Sequence, residues 1–136
     1  MVFLVRFVKF SDSDIKDLSA IIKEKDHVDV EQHVEMSGIW LRSVNNMTEL
    51  RLLTLADIQV IVSRVCFTHR RVGCMTAIFE WLKEFSHRNG IHRILIQSVE
   101  TKEMANWCLK NGFHPDANAS MQIDDFIVGN YLLDNF

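Results

Sequence analysis

Proline is nearly missing from this chain: Pro115 is the only one, and it lies late. Tyrosine is as rare, with Tyr131 alone, and 136 residues hold five glycines and three cysteines. No low-complexity segment, linker or internal repeat interrupts the sequence. At this length two full cores would not fit, so residues 1–136 read as a single domain. The cysteines, Cys66, Cys74 and Cys108, are odd in number and lack CxxC spacing, which argues against a disulfide framework and against structural zinc. The six histidines are scattered, no pair has HExxH spacing, and no metal is expected. There is no basic excess either. Fifteen Lys and Arg stand against 18 Asp and Glu, for a net charge of -3, which gives no reason to expect nucleic-acid binding. No apolar run is long enough to span a bilayer. The start, MVFLVRFVKF, is short and broken by Arg6 and Lys9, unlike a signal peptide. The expectation is a cytoplasmic chain with no membrane partner.

What is present is ordinary for a globular protein, with 48% apolar and 24% charged residues. Val2 to Phe10, rich in Val and Phe, reads as a first strand. SDSD at Ser11 to Asp14 supplies caps and acids for a helix start, and Ile15, Leu18 and Ile22 then share a face until about Lys25. Val28 to Met36 is expected as a second, short helix with Val30 and Val34 on one face. Strands follow at Ile39 to Val44, Thr48 to Leu55 and Ile58 to Phe67. Turns at Asn45-Asn46 and Ala56-Asp57 make them an antiparallel meander. Val72 to Asn89 carries the apolar stripe Met75, Ile78, Trp81, Leu82 and Phe85 and is a helix closed by Asn89-Gly90. Ile91 to Val99 has the unbroken apolar centre of a central strand, and Thr101 to Asn111 is a helix stopped by Gly112. Two last strands, Ala117 to Ile123 and Asp125 to Leu133, complete the order. The strand–helix–strand unit from Ile58 to Val99 should cross over right-handed and place two strands parallel. The class is α+β, with helices packed on the faces of a mostly antiparallel sheet.

The stretch VCFTHRRVGCMTAIFEWLKEF, Val65 to Phe85, carries the functional signal. A strand end runs into Arg70, Arg71 and Gly73 and then opens a helix. The first turn of a helix offers unpaired N–H groups and the positive dipole end, which together hold anions. Arg70 and Arg71 oppose that dipole, a local cost that is easier to understand if an anion sits there. The alternative is a plain solvated arginine pair in a loop.

This stretch resembles the core motif of the GNAT family of acetyl-CoA-dependent N-acyltransferases. That motif is a strand ending in Val, then Arg or Gln, two free positions, Gly, one free position, and Gly or Ala. Val65, Arg70, Gly73 and Met75 stand in those places, and Gly112-Phe113 matches a Gly-Phe pair after a later family helix. VRFVKFSDSDIKDL is similar to the family's first strand and capped helix, so the resemblance covers nearly the whole chain in element order. It implies a GNAT-like mixed sheet of about six to seven strands with a central parallel pair and helices on both faces. It implies acetyl-CoA as co-substrate and no metal. The cofactor residues it implies are Val65, Phe67, Arg70, Arg71, Val72, Gly73, Cys74, Met75, Thr76 and Thr101. It further implies that Val65 to Phe67 splays from Leu95 to Ser98 and pairs with the pantetheine arm.

Three positions depart from the family pattern. Met75 stands where Gly or Ala is usual, and either crowds the pyrophosphate or joins the core stripe of Ile78 and Leu82. Thr101 stands near a frequent Asn. Cys108 stands where a tyrosine often protonates the leaving thiolate, and is either a candidate general acid or a small buried apolar residue. Asp57, Gln59, His69, Glu49 and Glu100 are candidates for activating the amine, Gln59 only as a water binder. The leading expectation is direct transfer of acetyl to an amine acceptor, on a protein or smaller. The alternative is a catalytically weakened GNAT-like module that binds coenzyme A or a protein partner in a regulatory or structural role. A plain structural α+β protein is the third.

Overall fold

The structure, a computed structural model, describes residues 6–70 and 72–136. The first helix, α1 (Asp12–Asp26), starts as the sequence requires. Ser11 Oγ accepts from the Asp14 amide at 3.1 Å, and the Asp14 carboxylate accepts from the Ser11 amide at 2.9 Å. This reciprocal box satisfies two donors that a helix start leaves open. Ile15, Leu18 and Ile22 are buried on one face, and His27 ends the helix in the left-handed region.

Four strands follow as a meander: β1 (Glu31–Glu35), β2 (Gly38–Arg42), β3 (Glu49–Leu55) and β4 (Gln59–Cys66). Then come α2 (Cys74–Arg88), β5 (Arg93–Val99), α3 (Lys102–Lys110), β6 (His114–Ile123) and β7 (Phe126–Asp134). They form one seven-stranded sheet in the order β1-β2-β3-β4-β5-β7-β6, parallel only between β4 and β5. The helices flank it. α1 and α2 pack on each other, and α3 packs beside β7. Ile94, Leu95 and Ile96 are all buried, as a central strand demands.

Two expectations near the amino end are corrected. Val28 to Met36 is not a helix: Glu31–Glu35 pairs with β2 as an edge strand through a tight turn at Met36 and Ser37. The Val30 and Val34 spacing was a weak helical signal. The open edge of β2 offers a full ladder of backbone partners, and that outweighs it. The pairing is reinforced across β2 by a two-pronged bond from Arg51 to Glu35, 3.1 Å at each prong. The expected first strand, Val2 to Phe10, lies partly outside the described residues. Its described part, residues 6–10, forms no strand. Residues 6–10 are held by packing instead. Val8 and Phe10 are buried, Thr54 Oγ1 donates to the Val8 carbonyl at 2.7 Å, and Phe10 stacks on Phe85 with centroids 4.7 Å apart.

Among the described residues no helix is long and apolar enough to cross a membrane. The cap of α1 gives a direct test. Ser11→Ala is expected to cost about 1 kcal/mol of unfolding free energy in urea titration. An unchanged midpoint would contradict the capping box.

Candidate functional site

The site begins where two strands part. Val60, Ile61 and Val62 pair with Ile94, Leu95 and Ile96, and the parallel ladder stops there, although β4 runs on to Cys66 and β5 to Val99. Each strand carries an irregularity at that level. On β4, Arg64 faces Arg51 and Val62 faces Leu52, so Ser63 is an extra residue. On β5, Gln97 and Ser98 stand against Asn130 alone, Ser98 takes φ 55, and its amide is held by Asn130 Oδ1 at 3.0 Å. Bulges bend a strand and raise its twist, and two at one level drive β4 and β5 apart. Gly129 permits the arrangement on β7: at φ +123, a Cβ there would come within 2.3 Å of the Ala119 carbonyl oxygen.

The gap opens into a groove with two connected parts. A cleft of about 250 Å³ lies between the strands, lined by Ser63, Arg64, Gln97, Ser98 and Glu100 among others. A larger cavity of about 440 Å³ lies beyond the end of β4, between α2 and α3. Val65, Cys66, Thr101 and Met104 line both. Val65, Phe67, Arg70, Val72, Gly73, Cys74, Met75, Thr76 and Thr101, all named from the sequence, line the larger cavity. Arg71 lies outside the described residues.

The start of α2 differs from the other two helix starts. Ser11 caps α1 and Thr101 caps α3, and each has acid in its first turn. Gly73 gives α2 no side-chain cap, and its first turn holds no acid. The amides of Cys74, Met75 and Thr76 therefore have no intrahelical carbonyl to bond. These three residues line the cavity together with Arg70. Gly73 sits at φ +78, and a Cβ on it would meet nothing within 4 Å. Glycine is needed there for its backbone angle, with open space beyond it. Met75 joins the core side of its stripe, half-buried against the core cluster, and also lines the cavity.

The loop leading to α2 is fixed by Asp26, the last residue of α1. This fully buried carboxylate accepts from Thr48 Oγ1 at 2.5 Å and from the amides of Thr68 and His69 at 3.0 and 2.7 Å. Burial pushes its carboxyl up, but hydrogen bonds from Thr48, from the His69 and Thr68 amides and from the His69 ring outweigh that. They hold it below its ordinary 3.8. Across the cavity, Arg70 lies 4.0 Å from Glu103 of α3, and Trp107 Nε1 donates to Thr76 Oγ1 at 3.2 Å.

Cys108 is brought to neither part of the groove. It is fully buried, and burial pushes its thiol up to about 12. Its place is in the core beside Tyr131, whose hydroxyl donates to the Ile127 carbonyl at 2.6 Å. Of the amine-activating candidates, Glu100 lines the cleft and His69 the larger cavity. Asp57 and Gln59 lie at the far end of β4, where Asp57 pairs with Arg6 at 3.6 Å. Glu49 is buried and bonded to Arg64. Met104 and Trp107 of α3 are groove residues that no sequence motif marked. Their helix faces a helix start rather than a closed core, which spacing does not encode. Among the described residues no group of three or more potential ligands could hold a metal ion.

No family model matches the sequence, and no curated protein matches it in sequence. Solved structures match in fold. A protein from Agrobacterium tumefaciens assigned as an acetyltransferase superimposes with TM-score 0.54 at 16% identity, covering 98% of this chain and 99% of that one. A GNAT family acetyltransferase from Elizabethkingia anophelis, solved with acetyl-CoA bound, gives TM-score 0.51 at 11% identity over 80% of this chain and 97% of that one. Nourseothricin acetyltransferase gives 0.53 at 10% identity over 73% of this chain, which spans 65% of that protein's length. The chain has the GNAT acetyltransferase fold: a mixed, mostly antiparallel sheet with one central parallel pair and flanking helices.

Two measurements check the electrostatics. Asp26 has a lower pKa folded than unfolded, so its contribution to stability is full well above 3.8 and is lost as pH falls through the lowered value. Asp26→Asn is expected to cost about 1–3 kcal/mol at neutral pH and to flatten the loss of stability in acid, read by urea unfolding between about pH 5 and pH 2. An equally steep acid limb in the variant would contradict the clamp. Cys74 and Cys108, both pushed up to about 12 with burial the leading cause, are expected to resist a thiol reagent at pH 8 until the chain is unfolded. Rapid labelling of either in the native protein would contradict their burial.

Proposed function

We propose that this chain, whose fold is that of the GNAT acetyltransferases, transfers an acyl group from acetyl-CoA to an amine. The observation that carries the reading is one continuous groove joining a parted strand pair to an uncapped helix start. Each part suits one part of the co-substrate. The amides of Cys74, Met75 and Thr76, with Arg70 beside them, suit the pyrophosphate. The free backbone edge of Val65 to Phe67 suits the amide-bearing pantetheine arm, as a strand suits an extended peptide. Val65, Phe67, Met104 and Trp107 give that arm apolar walls. The thioester then falls in the cleft between β4 and β5.

In this reading the acceptor amine, uncharged, attacks the thioester carbonyl carbon. The tetrahedral oxyanion collapses, the C–S bond breaks, and the amine proton leaves as the amide forms. Glu100 is the carboxylate that lines the cleft, and it takes that proton directly or through water. The thiolate is protonated from solvent. Orientation of the two reactants supplies most of the rate.

A second reading rests on a specific observation. Cys108 and Tyr131 are both buried, and neither lines the groove, so neither offers the leaving thiolate a proton. A module that binds coenzyme A without turnover fits that finding. Calorimetry with acetyl-CoA, together with thiol release over a panel of amines that includes peptides with free N-termini and lysines, separates the two. Binding with thiol release supports the enzyme; binding without release on every amine supports the module; no binding at millimolar acetyl-CoA removes both. Arg70→Ala is expected to weaken binding about two- to fivefold, less so at high salt, because the guanidinium is largely exposed.

A further inference from the structure

His69 is placed by contacts the transfer reaction does not require. Its Nδ1 lies 2.8 Å from the Asp26 carbonyl oxygen and 3.1 Å from Asp26 Oδ1. Both partners are acceptors, and the carboxyl is held ionised, so Nδ1 carries a hydrogen and donates to them. The bond also occupies a carbonyl in the last turn of α1, where helices leave carbonyls unpaired. The tautomer of the neutral ring follows: Nε2 is the nitrogen with the lone pair. The ring is half-exposed and lines the larger cavity, where Arg70 and the open amides of α2 also lie, and it does not line the cleft. At the close of α1 it is flanked by Asp26 and His27, the two rings 6.3 Å apart, and Lys25 of the same turn acts on Cys74 across the cavity. Arg70 follows it in the loop, Glu103 of α3 and Cys74 of α2 lie across the cavity, and Cys66 beside Glu49 lies on the sheet side.

We propose that Asp26 and His69 form a phosphate-binding pair: Asp26 fixes Nδ1–H, and His69 presents Nε2 to the pyrophosphate of coenzyme A. The inference rests on the coenzyme A reading above and adds to it a residue and a proton. A neutral ring would turn a lone pair toward an anion and repel it. On binding, Nε2 therefore takes a proton from solvent, and the new N–H donates to a phosphate oxygen. No bond to phosphorus forms, and the proton returns to solvent when the ligand leaves. Asp26 and the negative end of α1 stabilise the cationic ring from behind. Asp26 is a positioning residue, acting through His69. Lying with the cavity at the start of α2 rather than with the cleft, His69 reads the pyrophosphate and leaves the amine alone.

Dephospho-coenzyme A is the probe, because its pyrophosphate diester has no group that titrates near neutrality. Calorimetry in two buffers of different ionisation heat counts the protons taken up. The wild type is expected to take up a fraction of a proton at about pH 7 and to bind more tightly at about pH 6 than at about pH 8. His69→Gln is expected to take up none and to bind about tenfold more weakly at the lower pH, with the two proteins converging at the higher. Nitrogen NMR of the free protein should find the Nδ1–H tautomer at His69. Binding without proton uptake, uptake that survives in His69→Gln, or the opposite tautomer would each overturn the pair while leaving the coenzyme A reading intact. A His69→Gln protein with unchanged affinity but a displaced pH profile of turnover would overturn it too, and would assign the ring to the acceptor amine. Failure of the wild type to bind either coenzyme A or dephospho-coenzyme A overturns both.

Discussion

The structure turns on a ladder of hydrogen bonds that stops early. A parallel strand pair buried in the middle of a sheet normally pairs along its length, because an unpaired buried backbone group is costly. Here pairing ends at Val62 and Ile96, and both strands continue without each other. The extra residue at Ser63 and the turned backbone at Ser98 are the physical means. They leave the Val65–Cys66 end of β4 with donors and acceptors beside a groove, and the candidate site is arranged along that edge.

Holding such an opening needs support from elsewhere in the chain. The loop between β4 and α2 would be free to fold into the gap if nothing tied it down. Asp26 ties it, from a helix more than forty residues earlier, through the amides of Thr68 and His69 and the hydroxyl of Thr48. A buried carboxylate is tolerated only when its lone pairs are filled, and here they are. On the other side, Trp107 and Glu103 reach from α3 to the start of α2 and to Arg70. The groove is a space walled by three helices' worth of specific contacts.

Much of this was legible in the residues and some was not. Ser11 and Asp14, the stripe from Met75 to Phe85, and the unbroken Ile94-Leu95-Ile96 run named their elements correctly, because each is a local signal. The described groove residues named between Val65 and Thr76, such as Val65, Phe67, Arg70 and Gly73, were also legible, since strand, arginine and glycine stand close together in the sequence. Val28 to Met36 misled: its spacing suggested a helix, but a free sheet edge offered a better partner. Asp26 gave no signal at all. Nothing in a run of Lys, Glu, Lys and Asp distinguishes the one carboxylate that will be buried.

The sequence by itself determined the α+β class, the order of elements from β2 onward, the glycine at the start of α2 and the absence of the usual tyrosine from α3, all of which depend on neighbours within a turn or two. Only the tertiary structure decided that β4 and β5 part, that Cys108 belongs to the core and not the groove, and that Asp26 meets His69. The reason is the same in each case. Register, burial and long-range hydrogen bonds depend on which surfaces meet when the whole sheet closes, and no window along the chain holds both partners.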